Sequence, residues 1–277
     1  MTRQGTLEVD VVADRRGRTR VTHLLQAYPQ RVTAPLYADA DPRSAYLCVQ
    51  SPSGGIFADD TLRTEVTVGS GGHLLMTSQS ATQVFDGDVG SGATHAQRFT
   101  VRDGGILEYV PREIIPHADA RFAQDTEVAV DGTGVFVGWE MIASGRIGHG
   151  ERYRYRTVST RTTVRVDGVM ATCDAIRVGA AERRPPERLI GANYLATGLI
   201  VAPRHDVTAL HDEIHEQLLR CPLVSGVSVL PESIGVIVRV LADTAPPLRR
   251  LLADLVATHR RVLLDMNPPP KRLLREE

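Results

Sequence analysis

The sequence predicts a mainly β protein of many short antiparallel strands, with a small α+β carboxy-terminal region. Residues 5–178 alternate between apolar and polar side chains in short runs, which Gly, Asp, Ser and Pro separate. Beyond residue 188 the apolar side chains recur at the three- and four-residue intervals of helices. The chain has 277 residues, of which 42% are apolar, and this composition supplies an ordinary buried core.

The first region should consist of strands that tight turns connect. Residues 7–12 alternate as one strand, and the polar turn at 14–18 leads into a second strand at 19–22. The pair Asp167-Gly168 predicts a hairpin turn within residues 153–178. The remaining alternating runs, each predicted as a strand, are 44–50, 61–68, 73–77, 95–101, 105–110, 120–130 and 134–142.

Two helices and a hairpin are predicted for the carboxy-terminal region. The charged stretch 182–188 contains two prolines and should turn or link the chain. It divides a β-rich scaffold at 1–181 from an α+β region at 182–277, which we expect to pack on the scaffold as one continuous structural unit. The first helix should span 206–221 with Asp206 as its N-cap, and the second should run from Pro246 to about residue 264. Between them, residues 224–230 and 234–241 predict the hairpin.

Charge and hydropathy argue against several classes of partner. The formal net charge is −1 and the sequence pI is about 6.8, so there is no basic stripe for nucleic-acid phosphates. No apolar run approaches the roughly 20 residues that span a bilayer, and the first residues lack the apolar segment of a signal peptide. We therefore expect a cytoplasmic protein without nucleic-acid or membrane partners.

The scarcity of lysine and cysteine narrows the chemistry. Lys271 is the single lysine, which argues against a P-loop or Schiff-base lysine and places any nucleotide hydrolysis on another subunit. Cys48, Cys173 and Cys221 are widely spaced and form no C-x-x-C pair, which argues against a disulfide framework or a thiolate zinc site.

One predicted helix carries two histidines at a spacing that suits a metal. His211 and His215 lie four residues apart, so both imidazoles should share one helical face. The zinc-protease pattern requires Glu directly after the first histidine, but Asp212 occupies that place. A solvated helix flank is the simpler interpretation, and a metal site is the alternative.

Four acidic residues interrupt otherwise apolar surroundings. They are Asp60, Glu108, Glu140 and Glu151. Each could face solvent from an alternating strand. If several line one enclosed passage instead, their oxygens could hold a divalent cation weakly as it passes.

Four segments, in order along the chain, resemble the motifs of a known family. SPSGGIFADDTL at 51–62 resembles P-x-G-G-hydrophobic-x-x-G-D-x-L with Asp59 at the usual glycine, and LMTSQSATQVF at 75–85 resembles T-T-Q-x-A-T-K-V-Y with Gln83 at the usual lysine. GILEYVPREII at 105–115 is similar to G-x-L-E-W-L-P-x-x-x-I, and GRIGHGE at 145–151 is similar to G-R-x-x-x-G-E. By these motifs the chain resembles the urease accessory protein UreD (UreH) family. The residues that carry the resemblance are Gly54, Gly55, Asp60, Thr77, Gln79, Thr82, Leu107, Glu108, Pro111, Gly145, Arg146, Gly150 and Glu151.

The resemblance implies a non-catalytic, mainly β scaffold. Members of this family bind apo-urease on one side and UreF on another, the GTPase UreG docks through UreF, and together they assist GTP-dependent nickel insertion. Nickel is thought to pass through an internal tunnel in such proteins, so the resemblance implies transient nickel and no tightly bound cofactor. The four carboxylates above are the candidates for a nickel conduit.

Two alternatives remain open from the residues alone. The first is a metal-dependent hydrolase that uses His211, His215 and a distant carboxylate. The second is a β-sandwich interaction domain unrelated to nickel.

Overall fold

Two facing β-sheets form the body of the protein in a computed structural model that describes residues 4–39, 41–87, 92–179 and 191–274. The predicted linker at 182–188, and with it the boundary at 181, lies outside the described residues. The strands, in chain order, are β1 (Gln4–Ala13), β2 (Thr19–Gln26), β3 (Arg31–Val32), β4 (Ala45–Gln50), β5 (Thr61–Val68), β6 (His73–Ser78), β7 (Thr82–Val84), β8 (Ala93–Val101), β9 (Ile106–Val110), β10 (Ile114–Pro116), β11 (Arg121–Val130), β12 (Val135–Ala143), β13 (Thr157–Val166), β14 (Val169–Gly179), β15 (Tyr194–Val201), β16 (Val224–Val229) and β17 (Gly235–Ala242).

The chain alternates between the sheets as it advances. The first sheet has the strand order β14-β13-β11-β8-β5-β1-β2. The second has the order β16-β17-β15-β12-β9-β6-β4-β3, with β7 and β10 beside this row. From β4 to β13 most successive strands change sheet, so the backbone coils around the space between the sheets like a solenoid.

This coiling corrects the predicted antiparallel class. The mainly β composition with helices near the carboxyl end is confirmed, but both sheets are mixed. Strands β1, β5, β8, β11 and β13 pair in parallel, as do β4, β6, β9 and β12, whereas antiparallel pairs occur towards the sheet ends. The physical reason is that a short turn such as 69–72 carries the chain to the opposite sheet instead of reversing it into a hairpin. Each strand therefore pairs with a strand of the next coil.

The carboxy-terminal elements agree with the sequence pattern. Helix α1 (Val207–Leu219) begins at Asp206, whose side chain accepts hydrogen bonds from the backbone N–H groups of Thr208 and Ala209. Helix α2 (Ala245–Leu264) follows the β16–β17 hairpin, and a short helix α3 (Lys271–Leu274) comes last. No helix among these described elements has both the length and the apolar character that a bilayer crossing requires.

Apolar side chains fill both the space between the sheets and the space beneath the helices. Val66, Phe99, Val128 and Phe136 belong to the central cluster between the sheets. A second cluster joins the outer face of β12, β15 and β17 to the buried stripes of α1 and α2. A third, which includes Phe122, fills the space at another level between the sheets. The second sheet is therefore covered on both faces, and this burial fixes the helices on it.

Gly235 marks the tightest approach between neighbouring strands. A Cβ atom at Gly235 would lie 1.9 Å from the carbonyl oxygen of Ile200, whereas one at Gly226, on the adjacent edge strand, would meet nothing within 4 Å. We expect Gly235→Ala to lower the free energy of unfolding by about 1–3 kcal/mol through this overlap. Gly226→Ala should change it by less than about 0.5 kcal/mol. Urea titrations of both variants check this, and equal stability of the two would contradict it.

Candidate functional site

A layer of polar side chains crosses the inner face of the first sheet. The parallel register places His95, Gln124 and Thr160 side by side on β8, β11 and β13. One inward position further along the same strands, Gln97, Thr126 and Thr162 form a second row next to Thr64 of β5. On both sides of this layer the inward positions are apolar. The polar rows therefore lie between two apolar clusters.

The second sheet leaves room opposite this layer. On β12 the inward positions run from Phe136 through Gly138 and Glu140 to Ile142, and the glycine contributes no side chain beyond its backbone. The result is a cavity of about 90 Å³ between the sheets. Its polar lining consists of Thr82, His95, Gln97, Tyr109, Arg112, Gln124, Thr126, Glu140, Thr160, Thr162, Asp174 and Thr197.

Glu140 is the glutamate on the cavity wall. Its Oε2 atom accepts a hydrogen bond of 2.7 Å from Nε2 of Gln124, and Thr160 also donates to the carboxylate. Burial raises the pKa of Glu140 from its ordinary 4.5 to about 7, and the nearby charge of Asp174 adds to this increase. The hydrogen bonds from Thr160 and Gln124 and the charge of Arg239 act in the opposite direction but are weaker. A carboxyl group with this pKa changes between neutral and charged forms near neutral pH.

Hydrogen bonds hold the other polar groups of the cavity in place. Nε2 of Gln97 donates to the hydroxyl of Tyr109 across the gap between the sheets at 3.3 Å, and Thr126 donates to Oε1 of Gln97 at 3.0 Å. Burial lowers the pKa of His95 to about 4 and raises that of Tyr109 to about 12. Both side chains are therefore neutral around pH 7, and Arg112 is the cationic side chain in the lining.

Asp174 and Arg239 form an ion pair between the two sheets beside the cavity. Asp174 lies on β14 of the first sheet and lines the cavity, whereas Arg239 lies on β17 of the second. The guanidinium also donates from Nη1 to the hydroxyl of Thr197 at 3.1 Å. This pair places the carboxylate of Asp174 in the lining and neutralises it at the same time.

Glu108 lies on the other face of the second sheet, in a buried ion-pair network. Nε2 of His73 and Nε2 of His259 contact its two oxygens at 2.8 Å and 2.7 Å, and Nε of Arg260 donates to Oε1 at 2.8 Å. Arg260 also forms a bidentate pair with Asp39, with both distances 2.9 Å. The side chains of Glu108, His259, Arg260 and Asp39 are fully buried. The network thus binds helix α2 to the sheet and to the loop that contains Asp39.

The network reverses the usual effect of burial on a carboxyl group. Burial alone would raise the pKa of Glu108, but the charge of Arg260 and the hydrogen bonds from His259, His73 and Arg260 outweigh burial. They hold the pKa of Glu108 well below its usual range, so the carboxylate is charged and fully engaged. Glu108 does not line the cavity between the sheets.

Asp60 and Glu151 lie in turns rather than in the cavity lining. Asp60 is 2% exposed, and its Oδ2 accepts a hydrogen bond from the backbone N–H of Phe57 at 2.9 Å, which closes the turn before β5. Asp59, where the family motif has glycine, keeps a left-handed backbone with φ of 69°. Glu151 pairs with Arg146, whose hydrogen bond lowers the pKa of this carboxyl. Of the four candidate carboxylates, Glu140 is therefore the one that faces the cavity.

The four segments that resemble family motifs meet in space. The backbone N–H of Ile56 donates to the carbonyl of Gln83 at 2.8 Å, and β7 pairs in parallel with β10. Gly55 is a place of close approach, because a Cβ atom there would lie 2.5 Å from the backbone oxygen of Gln83. The fourth segment lies beside the end of β10, because a Cβ atom on Gly145 would be 3.5 Å from the backbone oxygen of Pro116. Thr82 and Pro111 of the second and third segments line the cavity. The motif segments thus form a connected region next to the cavity.

The remaining motif residues have structural surroundings. Gly54 and Gly150 have positive φ angles, and Leu107 is fully buried. The hydroxyl of Thr77 contacts that of Tyr46, and the backbone N–H of Gln79 donates to the carbonyl of Val49.

The two candidate histidines lie away from the cavity, on helix α1. The ring centroids of His211 and His215 are 5.9 Å apart, with nearly parallel planes. Among the described residues, no group of three or more His, Cys, Asp or Glu side chains could hold a metal ion together.

Sequence reasoning missed most of the cavity lining. The signal for this lining is an interruption of the apolar positions within a strand. The inward positions of β11 run from Phe122 through Gln124 and Thr126 to Val128, so two polar residues occupy core positions in mid-strand. β8 and β13 repeat this break at matching positions. The pattern can be read in each strand, but its alignment into one layer requires the parallel register.

Comparisons with known proteins agree with the motif resemblance. The sequence model of a family described as "UreD urease accessory protein" matches residues 3–275. The chain is 48% identical over 250 residues to "Urease accessory protein UreD" of Mycolicibacterium gilvum, which covers 89% of this chain and 90% of the relative. It is 32% identical to "Urease accessory protein UreD 2" of Streptomyces griseus, over 86% of this chain and 82% of the relative. A relative from Haloarcula marismortui, also "Urease accessory protein UreD", is 29% identical over 88% of this chain and 81% of its own length.

The ion-pair network should dominate the attachment of α2. Glu108→Ala leaves Arg260 buried without its main partner, so we expect a loss of about 3–5 kcal/mol in the free energy of unfolding. Glu213→Ala is a matched control. Glu213 of α1 pairs with Arg261, the neighbour of Arg260 on α2, but the Glu213 side chain is about half exposed, at 48%. This control should cost no more than about 1 kcal/mol. Chemical denaturation of both variants measures the difference, and similar losses would contradict a special role for the network.

The pKa of Glu140 predicts a pH-dependent stability difference. Between about pH 4.5 and about 7 the unfolded state releases the Glu140 proton while the folded state keeps it, so the free energy of unfolding falls across this range; above about pH 7 both states are ionised and the loss levels off. We therefore expect Glu140→Gln to stabilise the protein relative to the natural sequence, increasingly from about pH 5 to about pH 7 and by a constant amount above that. Melting temperatures across this range test it. Glu127→Gln, at a side chain that is 60% exposed, serves as the control and should give a flat difference.

Proposed function

The chain belongs to the UreD family of urease accessory proteins, and from this premise we propose that it is a scaffold that binds apo-urease and UreF during GTP-dependent nickel insertion. UreG joins the assembly through UreF in this proposal. Proteins of the family are accessory proteins rather than catalytic enzymes, so the hydrolase alternative is set aside. Family membership likewise argues against an interaction domain unrelated to urease.

We further propose that nickel passes through the cavity between the sheets. The observation that carries this proposal is the continuous polar layer, with Glu140 opposite it, in a position where a β-sandwich normally has apolar side chains. Hydroxyl, amide and carboxylate oxygens are ligands that exchange readily, whereas a compact cage of imidazoles or thiolates would retain the ion. A conduit requires binding that is strong enough for entry and weak enough for release.

Glu140 is the proposed conduit carboxylate. Asp60 and Glu151 remain candidates for the approach to the cavity, since both lie in the motif region beside it, but each would have to exchange its hydrogen bonds to Phe57 or Arg146 for the ion. Glu108 suits a structural role better, because a nickel ion there would compete with Arg260 for the same two oxygens.

The partner part of the proposal is tested by co-expression with the urease subunits, UreF and UreG. Removal of this chain should abolish nickel incorporation and urea hydrolysis. A tagged chain should capture urease and UreF directly, and UreG only when UreF is present. Full activation without the chain would refute the scaffold role, and direct capture of UreG without UreF would refute the docking order.

The conduit part predicts separate effects of Glu140→Ala on transport and assembly. We expect this variant to lower the nickel content per urease active site by about tenfold, because the two carboxylate oxygens of Glu140 that would bind the ion are lost. UreF and urease should still co-purify. Glu127→Ala, which alters an exposed glutamate on the neighbouring sheet, should leave nickel loading unchanged. Normal loading in the Glu140 variant would remove this residue from the conduit, and parallel loss of partner binding would reassign it to structure.

A further inference from the structure

We propose that His211 and His215 form a surface site for a borderline divalent cation such as Ni²⁺ or Zn²⁺, separate from the cavity. The two imidazoles lie one helical turn apart on α1, with ring centroids at 5.9 Å and an interplanar angle of 6°. Residues four positions apart are neighbours on a helix surface, so both rings can reach one ion. Imidazole suits these cations, and water fills the remaining coordination positions.

Asp212 contacts one ring nitrogen of His211 and leaves the other free to face a metal ion. Nδ1 of His211 lies 3.0 Å from Oδ1 of Asp212. A carboxylate oxygen accepts hydrogen bonds, so Nδ1–H is the donor in this contact and Nε2 is the ring nitrogen that can meet an ion. Metal-binding histidines almost always donate their second ring N–H to a carboxylate, a backbone carbonyl or water in this way. The contact distinguishes this pair from two histidines that only share a helix face.

The helix that carries the two rings is packed against the rest of the protein. The apolar stripe of α1 is buried against β16 and α2 through Val207, Leu210, Ile214 and Leu218, and Asp206 caps the first turn. The imidazoles lie outside this buried stripe, with His211 partly exposed and His215 exposed. Ligands on a packed helix need little ordering when the ion binds, because the backbone between them is already fixed.

The charge of α1 also favours a cation. Within Val207–Leu219 the helix carries three carboxylates and neither lysine nor arginine. Glu213 and Glu216 pair with Arg261 and Arg220, whereas Asp212 faces His211. The carboxylate nearest to the ring pair therefore contributes its negative charge to the ion.

A site of this kind should be moderate in affinity and exchangeable. It has two protein ligands and stands open to water, so we expect micromolar rather than nanomolar binding. It shares no residue with the cavity lining, and the loss of either site should leave the other intact.

Calorimetric titration of the full-length chain with Ni²⁺ alone tests the site. His211→Ala and His215→Ala should each weaken binding at this site by about tenfold or more, and Asp212→Asn should weaken it less. The sharpest control is the double variant His215→Ala with Glu216→His. It keeps the number of imidazoles but changes their spacing from four to five, which turns the second ring away from the first. It should bind as weakly as His215→Ala alone.

A second readout identifies the ligands directly. Titration with Zn²⁺, which is diamagnetic, should shift the imidazole proton resonances of His211 and His215 together, while those of His23 on β2 stay in place. Circular dichroism should show unchanged melting in the alanine variants, since both side chains lie outside the packed stripe of the helix. Equal Ni²⁺ affinity in the natural chain and the spacing variant would overturn the proposal, as would Zn²⁺-induced shifts confined to other histidines.

Discussion

The in-register pairing of parallel strands from successive coils is the constraint on which the interior depends. Because β5, β8, β11 and β13 align without offset, whatever one strand places inward is set beside the corresponding residue of the next. Apolar residues thereby form continuous hydrophobic clusters, and polar ones form a continuous layer. A shift of one residue in a single strand would turn its polar positions outward and interrupt the layer. The cavity is thus a property of the register as much as of any single side chain.

The second sheet shows how surroundings give two buried glutamates opposite properties. Glu108 and Glu140 lie on adjacent strands, but Glu108 faces the helices and Glu140 faces the first sheet. The arginine of α2 keeps the first carboxylate charged and fixed, whereas the second borders an open space and has mainly neutral donors around it. Desolvation acts on both, and the neighbouring charge decides the result. One residue type is therefore a fixed ion-pair partner of a helix on one face and a protonatable group beside a cavity on the other.

The sequence predicted the elements better than their connections. Strand limits such as 61–68, the Asp206 cap and the carboxy-terminal hairpin follow from local alternation and turn residues. Parallel pairing does not, because a half-buried strand has the same period of two in either direction. Glu140 could be singled out as an acid among apolar neighbours, but nothing local distinguished its open surroundings from the closed network of Glu108. That distinction depends on Arg260, 152 positions away from Glu108.

The long separation in sequence between Glu108 and Arg260 has a consequence for synthesis on the ribosome. At 5–20 residues per second, roughly 8–30 seconds pass between the addition of Glu108 and that of Arg260. During this interval the nascent coils cannot bury Glu108 with its final partner, and the outer face of the second sheet lacks the helices that cover it. We expect the growing chain to depend on chaperones until α2 emerges. Premature termination before helix α2 would release a product that lacks both the countercharge of Arg260 and the part of the sheet's cover that α2 supplies.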